Sequence, residues 1–148
     1  MPLSTAERIL ILKGAEIFDH VASEDMVALA QVAQEVRFNV GDTFIHQGEP
    51  SDCLYMIVDG EVDIRIPSVG TIATRGPGTS VGELGLISHH PRSADCVART
   101  AVTTLKIDHG DFWDVLTDKP PVALAIIRAL AQHLDEAVDH LRKLGQRV

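Results

Sequence analysis

The chain has little of what would tie it to a metal, a disulfide framework or a membrane. Cysteine occurs only at positions 53 and 96, outside any Cys-x-x-Cys arrangement. Neither a disulfide scaffold nor a zinc site is indicated, and buried reduced thiols are expected. No apolar run reaches the roughly 20 residues that span a bilayer. Met1-Pro2-Leu3-Ser4-Thr5-Ala6-Glu7 carries neither the basic region nor the apolar core of an export signal, which points to the cytoplasm. Basic residues are in deficit: the formal net charge of -8 argues against sequence-independent attraction to nucleic acid or anionic membranes. Internal repeats, low-complexity tracts and linkers are absent. One domain is expected over residues 1–148, and a hydrophobic fraction of 45% is ample for a folded core.

What is present changes period twice. Ser4 and Glu7 form a capping-box pattern that opens a helix through Ile9, Leu10 and Leu12, ended by Gly14. Ser23-Glu24-Asp25 is expected to cap a second helix, with Met26, Leu29, Ala30 and Ala33 at helical spacing. Residues 1–34 are thus helical packing elements. From Glu35 to Ile107 the period becomes two: Val36, Phe38 and Val40 alternate with polar residues, as do Val62, Ile64 and Ile66. Gly41, Gly48, Gly60, Gly70 and Gly76 divide the strands. The implied fold is mainly β with flanking helices, an antiparallel β-roll or jelly roll over residues 35–107. Residues 109–145 return to helix: His109 to Leu116 carries Phe112 and Trp113, and Lys119-Pro120-Pro121 starts a last helix of about Val122 to Leu144. On it Ile127, Leu130, Leu134, Ala137, Leu141 and Leu144 step by three and four, a heptad seam.

The most informative stretch is residues 80–94, Ser-Val-Gly-Glu-Leu-Gly-Leu-Ile-Ser-His-His-Pro-Arg-Ser-Ala. Gly82 and Gly85 allow backbone amides to approach a ligand, and a short helical turn from Glu83 to Ile87 leaves N–H groups that favour an anion. Arg92 adds a planar fork of donors suited to phosphate oxygens. Small Ser93 and Ala94 keep space beside it. Glu83 would repel a phosphate, so its natural partner is a neutral donor such as a sugar hydroxyl. Together they describe a site for a ribose carrying a phosphate.

Gly-Glu-Leu-Gly-Leu, a short loop and Pro-Arg-Ser-Ala resemble the phosphate-binding cassette of the cyclic nucleotide-binding domain family, and the resemblance extends over about Ile17 to Leu141. It implies that Glu83 takes the ribose 2′-hydroxyl, that Arg92 takes the cyclic phosphate, and that Gly82, Leu84, Gly85, Ser93 and Ala94 line the phosphate. Val58, Ile72, Ala73 and Arg75 are implied beside the base, with His133 and Ala137 on the last helix as its lid. Val81, where the family commonly has an aromatic residue, and Asp95, where it has an uncharged one, depart from the pattern. Ala137-Val138 stands where bacterial activators offer polar groups to adenine.

These features lead to a non-enzymatic sensor for cAMP ahead of cGMP, with movement of the last helix passed to an effector or an attached module. The seam suits a homodimer. No basic patch or helix-turn-helix pattern supports a nucleic-acid partner, and membrane insertion is not expected. A β-roll serving only as an interaction module is the rival from another class. A cupin-type metal enzyme ranks third, because His89-His90 are adjacent in a loop and no His-x-His pair exists; no metal cofactor is expected.

Overall fold

The computed structural model describes residues 2–146; Met1, Arg147 and Val148 lie outside it. Helix α1 (Thr5–Leu12) opens with the predicted capping box, both reciprocal bonds of Ser4 and Glu7 being present. Leu12 is buried, but Leu10 is 74% exposed, so the buried side of α1 is narrower than its apolar residues suggest. Gly14 is not a left-handed cap. A methyl there would lie 2.7 Å from the Gly78 carbonyl oxygen, so this glycine serves close approach of a loop. After a 3-10 turn (Glu16–Phe18) comes α2 (Ser23–Val32), whose N-cap is Ala22 without a side-chain bond. Ser23 is already inside the helix and does not cap it, contrary to expectation. Met26, Leu29, Ala30 and Ala33 are buried as their spacing requires.

Eight strands follow: β1 (Gln34–Phe38), β2 (Thr43–Ile45), β3 (Cys53–Asp59), β4 (Val62–Ile66), β5 (Gly70–Arg75), β6 (Ser80–Val81), β7 (Asp95–Ala98) and β8 (Val102–Asp108). They form two four-stranded sheets, ordered β1-β8-β3-β6 and β2-β7-β4-β5, with every pairing antiparallel. This is the expected β-roll. Val40 falls outside β1 and is exposed, and a turn at residues 99–101 separates β7 from β8. Gly41, Gly48, Gly60 and Gly70 have positive φ as turn glycines; between β5 and β6 that role falls to Gly78 instead of Gly76.

The sheets enclose one core and the helices cover a second. Tyr55, Ile57, Val62, Val81, Cys96 and Val102 pack between the sheets. Leu54, Met56, Leu105 and Ile107 face the other way and join Phe18, Leu29 and Phe112 under the helices. Strand β3 is therefore dry on both faces, the usual reason for a continuous apolar run. It is the strand against which the loop of residues 82–92 is built.

Helix α3 (His109–Asp118) is followed by α4 (Pro120–Gly145), whose two prolines occupy its first turn, where no N–H is missed. Val122, Ala125, Ile126 and Ala129 of α4 are buried against the domain. The seam residues Ile127, Leu134, Leu141 and Leu144 are exposed along the other side. No helix among the described residues is long and apolar enough to cross a membrane.

The tightest turn tests this layout. Gly60 has φ +90°, and a methyl there would lie 2.2 Å from the Ala101 carbonyl oxygen. Gly60→Ala should lower unfolding stability by about 1–3 kcal/mol, read as an earlier urea midpoint; an unchanged midpoint would contradict the turn geometry.

Candidate anion-binding site

Strand β6 pairs with β3 through Tyr55↔Val81 and Met56↔Ser80, which delivers the chain to the site. Gly82 then turns left-handed at φ +75°, a conformation that suits glycine, and a 3-10 turn (Glu83–Leu86) begins. The Gly85 amide donates to the Gly82 carbonyl at 2.9 Å, and the Ile87 and Ser88 amides donate to Leu84. The return segment is pinned from outside. A bridge joins Pro50 and Pro91, the Arg92 amide donates to the Glu49 carbonyl at 2.7 Å, and the Gly48 amide donates to the Arg92 carbonyl at 2.9 Å.

These backbone bonds aim the Arg92 side chain inward, where it is only 8% exposed. Nη2 donates to the Cys53 carbonyl at 3.0 Å and contacts Cys53 Sγ at 3.4 Å. Asp52 lies 3.9 Å away, but its carboxylate is 79% exposed, so the ion pair is weak. Nη1 is buried without a hydrogen-bond partner. A methyl at Gly82 would stand 1.9 Å from Nη1, and one at Gly85 would stand 3.3 Å away. Both glycines thus make room for a guanidinium, and not only for a ligand. A buried charged donor left unpaired costs more than a neutral one, and an anion is the partner that satisfies it.

Beside Arg92 lies a cavity of ≈ 390 Å³. The expected residues Gly82, Leu84, Gly85, Arg92, Ser93, Ala94 and Arg75 line it. Glu83 does not. Its Oε1 accepts from the Ile17 amide at 2.7 Å and its Oε2 from Ser80 Oγ at 3.2 Å. The carboxylate is held by the 3-10 turn that follows α1.

The structure leaves five other expected residues, Val58, Ile72, Ala73, His133 and Ala137, outside the cavity wall, and a β-bulge accounts for Ile72. Val58 packs toward the helix-covered core with Leu54 and Met56, the face that simple alternation along β3 assigns to it, although it is also the extra residue between Ile57 and Asp59 in the β3–β8 ladder. In the β4–β5 ladder Ile64 pairs with Ala73 and Arg65 with Thr71, so Ile72 is extra and exposed. Ala73 sits next to that bulge and is also absent from the wall. A bulge changes which face follows, and alternation alone does not reveal it. His133 lies 3.5 Å from Glu16, and Ala137 is exposed on the outer half of α4. Sequence reasoning missed Ile45, Ile64 and Cys96, which the strand alternation could have placed inside. It also missed Ser51, Ser88 and His90, for which no periodic signal exists.

Two effects govern the electrostatics. Burial pushes the Cys96 thiol up to about 11 and raises that of Cys53, with the Arg92 charge opposing in both cases. Among the described residues, no group of three His, Cys, Asp or Glu side chains is placed to hold a metal.

A β-roll whose short glycine-flanked turn presents a buried arginine to a cavity defines a ligand-binding module for a small anion. The chain belongs to the cyclic nucleotide-binding domain family, whose profile matches residues 35–119. It is 31% identical over 138 residues to the CRP-like cAMP-activated global transcriptional regulator of Mycobacterium tuberculosis, covering 90% of this chain and 62% of that protein. The chain thus spans less than two thirds of that relative's length. Among solved structures it resembles the N-terminal domain of a transcriptional regulator from Streptomyces coelicolor A3(2), at TM-score 0.80 and 34% identity, covering 88% of this chain and 94% of that one. It also resembles the regulatory subunit of a cAMP-independent protein kinase A from Trypanosoma brucei, at TM-score 0.66 and 29% identity, covering 84% of this chain and 46% of that one.

The thiols give a direct check on the packing around Arg92. Both should stay protonated near neutrality and label with a thiol reagent on the order of 100-fold more slowly in the folded protein than in denaturant. Similar rates in the two states would show that the core around Arg92 is open.

Proposed function

We propose that the domain is a non-enzymatic cytoplasmic sensor that binds a cyclic nucleotide, cAMP ahead of cGMP. The observation that carries the reading is Arg92: a guanidinium held by Cys53 through one nitrogen, with the other nitrogen buried, unpaired and beside Gly82 and Gly85. A cyclic phosphate supplies the missing acceptor, with Ser93 and the cassette amides completing its shell. The cavity is of the size that takes one small ligand. Glu83 serves the ribose hydroxyl once the cassette draws inward. Relatives named for cAMP favour that base, as does serine at position 93.

The route to an output runs through the bond Glu83 makes. Its carboxylate holds Ile17, and the same N-terminal segment leans on α4: Glu16 lies 3.5 Å from His133, and His20 meets Gln132 at 2.7 Å. A sugar hydroxyl at Glu83 disturbs the hold on Ile17 and so favours a different seating of α4. This is a population shift, driven only by the difference in ligand affinity between the two seatings. The exposed seam of α4 carries the shift to a second copy of the chain, and an effector protein or attached module reads it.

A nucleotide-independent interaction module has one observation on its side, namely that Glu83 is already satisfied within the protein. Calorimetric titration with cAMP and cGMP separates the two readings. Wild type should bind, Arg92→Ala and Arg92→Lys should each lose roughly 2–4 kcal/mol of binding free energy, and Glu83→Ala should lose less. Equal affinity in wild type and the arginine variants, or no binding by wild type, would overturn the assignment.

The dimer has its own test in sedimentation velocity. Wild type should sediment as a dimer and Leu134→Gln should shift toward monomer; a monomeric wild type or an unshifted variant would remove the seam as the interface.

A further inference from the structure

The adjacent histidines of the cassette loop occupy different environments. The His89 ring lies 4.1 Å from that of His109, centroid to centroid, and its Nδ1 is 3.1 Å from the Ser51 carbonyl oxygen. It packs the loop against α3. His90 lines the cavity instead, with Pro91, Arg92 and Ser93.

The charges of that wall are one-sided. Arg75, Arg92 and His90 contribute to it, and no carboxylate does, although the chain as a whole is acidic. Of the nearby acids, Asp52 alone reaches a cation of the wall, lying 3.9 Å from Arg92 with a carboxylate 79% exposed, and the others are committed elsewhere. Glu83 holds Ile17 and Ser80, and Asp95 accepts from the Gln47 amide at 2.7 Å. Glu49 lies 3.6 Å from His46, and it borders a second cavity together with Asp52. A protonated ring at position 90 therefore finds two arginines in the wall and no internal counter-ion.

We propose that His90 is a second, proton-dependent phosphate contact, so that the site takes up a proton along with its anion. The proposal rests on the reading of the cavity as the nucleotide site. An imidazole titrates within the physiological range, whereas a cyclic phosphodiester stays a single anion throughout it. An anion beside the ring favours the protonated ring, so protonation and binding support each other. Affinity is highest at low pH and declines as pH rises across the imidazole range.

Titration of the full chain with cAMP at several pH values tests this. Wild type should bind roughly 3- to 5-fold more weakly at about pH 8 than at about pH 5.5, the worth of an ion pair to an exposed side chain. His90→Gln should bind at low pH as weakly as wild type does at high pH, with the slope gone. His89→Gln should keep the slope. A flat wild-type profile, or a slope retained by His90→Gln, would overturn the role of His90 while leaving the nucleotide site intact if Arg92→Ala abolishes binding in the same series. Absence of cAMP binding by wild type, or binding indifferent to Arg92→Ala, would instead remove the nucleotide site and the role of His90 with it.

Discussion

The structure turns on one buried cation. Placing a guanidinium at 8% exposure is expensive unless its donors are occupied, and much of the local architecture serves that need. Three separate segments meet at Arg92: the turn at Gly48 and Glu49 bonds its backbone, β3 takes one nitrogen through Cys53, and Gly82 and Gly85 withdraw their side chains from the other. The arrangement satisfies half of the group internally and leaves the rest for an anion. Arginine suits this division better than lysine, because a planar fork can be anchored at one prong while it presents the other.

The chain's net charge of -8 places the burden of ligand capture on local geometry. No long-range field gathers a nucleotide toward an acidic protein. Within the cavity wall the sign is reversed: Glu83, Asp95 and Glu49 each have a backbone amide, a hydroxyl or a cation elsewhere, and Asp52, 3.9 Å from Arg92, is 79% exposed. Glu83 is the most consequential of these. It spends its acceptors on Ile17 and Ser80, and in the proposed scheme a ligand hydroxyl must compete with a backbone amide for one oxygen. Two hydrogen bonds of similar strength exchanging at one carboxylate make a low-cost switch, since the net difference is small compared with either bond alone.

Much of the fold was legible because it rests on local periodicity. The capping box at Ser4, the alternating β1 and β4 and the prolines at the head of α4 each declare themselves within a few residues. The cap expected at Ser23 failed because Ala22 lies one residue earlier and already has the extended backbone of a cap, which leaves the hydroxyl inside the helix. The site was legible as a set of residue types and less so as an arrangement. Arg92 and the two glycines stand where their chemistry required. Ile72 lies off the cavity wall as the surplus residue of a β-bulge, which leaves no mark in the hydrophobic pattern, whereas Val58 lies off it with Leu54 and Met56 on the helix-covered face of β3. The orientation of Glu83 was equally invisible, since its partner Ile17 is 66 residues away in sequence and contributes only a backbone amide.

Helix α4 shows how one sequence can carry two apolar faces with different purposes. The stripe Val122, Ala125, Ile126 and Ala129 is buried against the domain and ends halfway along the helix. The seam from Ile127 to Leu144 starts before that stripe ends and continues along the exposed outer half, where the domain offers nothing to cover it. With 26 residues the helix is about 39 Å long, so a small tilt of its seated half is enlarged at the far end. Reseating the inner half would shift the packing of Val122, Ala125, Ile126 and Ala129 together with the short polar links to Glu16 and His20, and the outer half, exposed at Leu134, Leu141 and Leu144, would follow. In the proposed scheme, the division of the helix into a held half and an exposed half is what would let a change at Glu83 reach a surface far from the anion.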